Sequence, residues 1–126
     1  MKRLEILPPD AETAALSTTQ LLAHLNDESY YLRGRVIAGL GRRLQESSEV
    51  FTAVLTATQD PTNRQTPFFG FIMVSWLGVI AILENGSDLQ KNVLKQLLEN
   101  WPKQELEDLR VYLADTELPL KEFLPQ

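Results

Sequence analysis

The chain has 126 residues, 44% hydrophobic and 23% charged; it is long enough for one domain with its own core and too apolar for disorder. A net charge of −5 and a pI near 4.8 give no global field that would draw nucleic acid or an anionic membrane. There is no cysteine, hence no disulfide, thiolate nucleophile or thiolate metal site, and the opening MKRLEILPPDAE lacks a secretory apolar run, so a cytoplasmic protein is expected.

Residues 1–16 read as an N-terminal arm or cap. Leu4-Glu5-Ile6-Leu7 ends in Pro8-Pro9, which favours an extended segment. Asp10 to Leu16 allows a helical turn. Ser17 with Gln20 is a capping-box pattern, in which each side chain satisfies a free N–H of the other. It opens a helix carrying Leu21, Leu22 and Leu25 that stops near Asn26-Asp27. A second helix is expected from Ser29 to Gln45, where Leu32, Val36, Leu40 and Leu44 recur every four residues beside Ile37. Its Gly34, Gly39 and Gly41 each weaken a helix by roughly 1 kcal/mol, so close packing of a neighbour is the expected reason for them.

Ser47-Ser48 caps a third helix with Val50, Phe51, Val54 and Leu55, ending before Asp60-Pro61. Thr62 to Gln65 is polar and reads as a loop. Thr66-Pro67 looks like an N-cap followed by proline at the first helical position. The fourth helix is then expected over Pro67–Leu83, apolar on every side, with Asn85-Gly86 as its stop. The run from Phe68 to Leu83 falls short of the ~17–25 residues of a bilayer span, so a buried or interfacial helix is expected and no membrane span. Ser87 with Gln90 caps a fifth helix, lined by Leu89, Val93, Leu94, Leu97 and Leu98. Pro102 opens a sixth, with Glu105, Glu107 and Asp108 near its positive dipole end. The tail, 116–126, is bounded by prolines and carries Leu118, Leu120, Phe123 and Leu124.

Short connections make sequential helices antiparallel, and Leu40-Gly41 recurs as Leu77-Gly78, thirty-seven positions on. The first unit resembles a HEAT-like repeat of the phycobilisome lyase type. Asp27 stands in the turn, Leu32-Arg33 stand for Val-Arg, Val36 and Gly39 take the small positions, and Leu40-Gly41 complete the pattern. The second unit keeps Asp60-Pro61, but Gly70 replaces the arginine and Met73 and Trp76 the small residues. The third keeps only helix pairing. The resemblance implies an all-α fold: a short α-solenoid, a right-handed superhelix of about three antiparallel helix pairs, roughly six helices. One domain, 1–126, would hold pairs at 17–45, 47–84 and 87–115. It also implies structural roles for Asp27 and Arg33, which tie neighbouring turns in such repeats.

No catalytic, cofactor-binding or metal-binding residues are expected. His24, the only histidine, has leucine and alanine neighbours and no converging ligand. Glu105, Glu107 and Asp108 are explained by the helix dipole. No phosphate loop, nucleophile elbow or metal helix is present. The expected function is therefore a non-catalytic protein–protein interaction module: a small adaptor, chaperone or assembly factor.

At ~100° per residue, Tyr31, Arg35, Ala38 and Arg42 face away from the apolar stripe of their helix. The repeat offset carries these positions to Phe68, Ile72, Ser75 and Val79, flanked by Phe71 and Ile82. HEAT-like solenoids bind partners with the second helices of their pairs. The expected partner surface is thus Tyr31, Arg35, Arg42, Phe68, Phe71, Ile72, Ser75 and Val79, facing a protein partner or a second copy. The lyase resemblance also implies an alternative, an accessory role in phycobilin attachment or phycobilisome assembly. Nucleic-acid binding, known for some HEAT-like glycosylases, is disfavoured by the acidic balance.

Overall fold

Short polar side chains set where the helices begin. The computed structural model describes residues 10–114; most of the arm and all of the tail lie outside the described residues. Asp10 accepts from the Thr13 N–H and opens α1 (Ala11–Ala15). The Ser17–Gln20 capping box opens α2 (Thr18–Ala23), and Ser29 caps α3 (Tyr30–Gly41). Ser47 caps α4 (Ser48–Gln59), and Asp60 caps α5 (Pro61–Gln65) with proline at its start. A second capping box, Ser87–Gln90, opens α7 (Asp88–Leu98), and Pro102 precedes α8 (Lys103–Leu113).

The expected fourth helix is corrected by the structure. Pro67–Phe69 forms β1 and Ile72–Met73 forms β2, an antiparallel hairpin, and the helix α6 runs only over Val74–Asn85. Gly70 is the reason. Its φ of 57° lies in the left-handed region, while Phe71 keeps an ordinary negative φ. That pattern, glycine first in a two-residue loop, is the one a type II′ hairpin requires. Thr66 does not cap a helix either. Its hydroxyl donates back to the Thr62 carbonyl at 2.6 Å, and its own carbonyl accepts the Val74 N–H at 2.9 Å. The polar stretch expected to be a loop is α5, because Asp60 satisfies the N–H groups of both Thr62 and Asn63. The described residues thus hold eight helices and a two-stranded hairpin, a mostly helical fold.

α6 is the centre. Every residue from Val74 to Leu83 is buried, clasped by α3 and α4 with α5 and α7 adjoining. The α4–α6 crossing is close: a Cβ on Gly78 would meet the Thr58 side chain, with Thr58 Cβ at 3.1 Å and Cα at 3.6 Å. Thr58 is fully buried and donates its hydroxyl to the Val54 carbonyl at 2.8 Å. No helix among the described residues is long and apolar enough to cross a membrane.

Two arginines tie neighbouring helices and turns together. Arg33 donates to the carbonyls of Asp27 (2.8 Å) and Glu28 (3.1 Å) and to Asn63 Oδ1 (3.0 Å). Asn63 in turn donates to the Ala57 carbonyl at 2.8 Å, so the turn before α3 is tied to α5. Arg43 donates to the Leu16 carbonyl at 2.8 Å and to the Thr18 hydroxyl at 3.1 Å.

Ser75 is an exception to polar satisfaction. Its hydroxyl is fully buried and has no hydrogen-bond partner among the described residues. A buried unpaired hydroxyl costs about 1–3 kcal/mol. Ser75→Ala should therefore leave thermal stability unchanged or raise it; a clear drop in melting temperature would show that the hydroxyl has a partner.

Candidate functional site

The hairpin carries a cluster of aromatic rings around it. Three strand residues face two across the ladder, and the register shift falls between Pro67 and Phe69. A bulge of this kind re-aims a side chain, and here Phe68 is buried while its neighbours Pro67 and Phe69 face solvent. The Phe68 ring lies over Gly34 of α3, in space a Cβ there would occupy. Tyr31 stacks on the same ring at 5.3 Å with planes 5° apart, and Tyr30 meets it edge-on at 6.5 Å. The Arg35 guanidinium sits 5.6 Å from the Tyr31 ring centre.

The turn side of the hairpin reaches two other helices. Phe71 meets Trp76 at 6.4 Å and Tyr112 at 5.8 Å, both edge-on, and Trp76 and Tyr112 are 5.6 Å apart. Burial pushes the Tyr112 phenol pKa up, which keeps that ring neutral. The hairpin thus bridges the start of α3 to the start of α6 and the end of α8.

Much of this aromatic surface is open. Tyr30 is 46% exposed, Tyr31 50%, Phe69 72% and Phe71 65%, with Val111 of α8 at 63%. Contiguous exposed apolar surface marks interaction sites in soluble proteins, and tyrosine and arginine are frequent anchors there.

The eight residues expected to form a partner surface divide. Tyr31, Arg35 and Phe68 come together in one stack. Phe71 joins the platform from its turn, and Ile72 is buried. Ser75 and Val79 are fully buried inside α6 and face no solvent. Arg42 is exposed at the far end of α3, about 16 Å from Tyr31 at 1.5 Å per residue. The repeat offset failed at all four positions: Phe68 and Ile72 are buried strand residues, and Ser75 and Val79 are helical but buried. Tyr30, Phe69, Trp76 and Tyr112 were missed. For Phe69 part of the signal was present: a glycine opening a two-residue loop, here Gly70-Phe71, suits a type II′ hairpin.

Arg35 also anchors the entry of the chain. It binds the Asp10 carboxylate at 2.5 Å and lies 3.6 Å from Glu12. The Thr13 N–H, and then Arg35, hold the Asp10 carboxyl down at about 2. A lowered folded-state pKa stabilises the folded form above the unfolded value of 3.8, and that contribution is lost as pH falls through about 2. The amides of α1 should accordingly lose hydrogen-exchange protection over this acid range, and Asp10→Asn should abolish the pH dependence there. An α1 equally labile at every pH in both proteins would contradict the assignment.

Apart from the platform, a groove of about 260 Å³ lies between α2 and α4 and includes Leu22, Leu25, Ala53, Asp60 and Asn63. Two of its polar side chains are engaged in the fold, Asp60 in capping α5 and Asn63 with Arg33 and Ala57. No group of histidine or carboxylate side chains among the described residues could hold a metal ion.

Compared with known protein families, curated proteins and solved structures, the chain matches none of them.

Proposed function

We propose that this protein is a non-catalytic interaction module that docks a protein partner on the aromatic platform around its hairpin. The single observation that carries the reading is the exposure of Phe69 and Phe71 beside half-exposed Tyr30 and Tyr31. Such rings would lower the free energy by leaving water at roughly 25 cal/mol per Å² buried; Tyr30 and Tyr31 rest on Phe68, and Phe71 on Trp76 and Tyr112. We also read the helix pairs as a short HEAT-like solenoid. The side-by-side packing of α3 and α6, the second long helices of their units, supports that arrangement.

Carboxylates placed on the two exposed rings test the function. Phe69→Asp/Phe71→Asp should reduce recovery of a co-purifying protein at least about ten-fold, the effect of losing one good anchor. Its circular dichroism should match the parent. Unchanged recovery of every co-purifying protein would remove the platform as the binding surface.

A further inference from the structure

We propose that the platform's resident occupant is the chain's own C-terminal segment, residues 117–125. The class of ligand it takes is then an extended, proline-flanked peptide rich in leucine and phenylalanine. This rests on reading the platform as a docking surface.

The first reason is where the described chain ends. Tyr112 is part of the platform, 5.8 Å from Phe71, and Val111 beside it is exposed. Ala114 is the last described residue, two positions beyond Tyr112. Whatever follows therefore starts at the platform's edge.

The second reason is reach. Residues 115–126 could extend at most about 40 Å at 3.3–3.6 Å per residue. The three-residue strand β1 is only about 10 Å long. A chain leaving Ala114 can cross the hairpin and return.

The third reason is chemistry. Glu117-Leu118-Pro119-Leu120-Lys121-Glu122-Phe123-Leu124-Pro125 sets four large apolar side chains between and beside two prolines. Proline removes an amide donor and fixes φ, and it biases the preceding residue to extended conformations. Aromatic-lined surfaces accept such pre-extended segments at low entropic cost. Tethering adds an effective concentration in the millimolar range, so modest intrinsic affinity suffices. An outside partner with the same chemistry would have to displace the tail, which makes the tail a built-in competitor.

The N-terminal arm is the rival occupant, since Leu4, Ile6 and Leu7 precede Asp10, which is bound to Arg35 beneath Tyr31. The C-terminal segment is favoured because the exposed Phe71 is already in ring contact with the helix from which it leaves.

Photocrosslinking in the full-length chain separates these outcomes. Phe69→p-benzoylphenylalanine is made in an equimolar mixture of light and heavy isotope copies, and crosslinked peptides are mapped by mass spectrometry. The expected result is crosslinks to residues 116–126 within one copy. Their yield should fall about ten-fold in a Leu120→Ser/Phe123→Ser/Leu124→Ser background. Crosslinks to residues 1–9, between light and heavy copies, or to another protein would overturn the tail as occupant while leaving the platform a docking surface. No crosslink at all, alone or in lysate, would overturn both.

Discussion

Gly78→Leu is expected to destabilise the fold by about 3 kcal/mol or more, the upper end of the range for overpacking a close interface. Gly78 lies where α6 crosses α4, and even a Cβ there would run into the Thr58 side chain. Thr58 cannot simply rotate away, because its hydroxyl is bonded to the Val54 carbonyl and the residue is fully buried. A leucine therefore has to push the helices apart. Global stability of a domain this size is on the order of 5–15 kcal/mol, so a large share would be lost. The control is a smaller pair. Gly78→Ala alone should destabilise despite alanine's better helix propensity, worth ~0.8–1 kcal/mol. In a Thr58→Ala background the same change should become neutral or stabilising, a coupling within the 0.5–3 kcal/mol range for touching residues. Urea unfolding of the four proteins measures it; additive effects would mean that the helices do not cross at these residues.

Ile82→Ala should cost about 2–5 kcal/mol, the usual range for removing a large side chain from a packed core. Ile82 is fully buried on the central helix, and its carbonyl accepts the Gly86 N–H at 2.7 Å. The neighbourhood is clasped by helices on several sides, so the cavity cannot collapse cheaply. Leu89→Ala is the matched comparison: Leu89 is 74% exposed, and a surface truncation is expected to move stability by no more than ~0.5 kcal/mol. Equal losses from the two variants would contradict the placement of α6 at the centre.

Helix starts were legible because capping is local chemistry. Ser17 with Gln20 and Ser87 with Gln90 formed the reciprocal bonds their spacing suggests. The central burial of the apolar stretch also followed from its composition, since an element apolar on all sides must be covered. The start of that stretch did not follow. A short buried strand and a buried helix both read as continuous apolar sequence, and Pro67 after Thr66 imitates a helix start. Gly70 decided between them, through a backbone angle that only the folded turn reveals. The platform was half legible for the same reason. Tyr31 and Arg35 share a helical face, so their proximity is a matter of period. The meeting of Phe71 with Trp76 and Tyr112 brings together residues far apart in the chain, which no local pattern encodes.

Everything proposed for this protein depends on residues 67–73 forming a hairpin that presents its rings on the outside of the helical fold. Carbon chemical shifts and nuclear Overhauser contacts from the isotope-labelled full-length chain read this directly. Extended shifts are expected at Pro67–Phe69 and Ile72–Met73, with helical shifts beginning at Val74 and a contact between the Phe68 and Tyr31 rings. Unbroken helical shifts from Pro67 through Leu83, with no contact from Phe68 to Tyr31, would contradict the account.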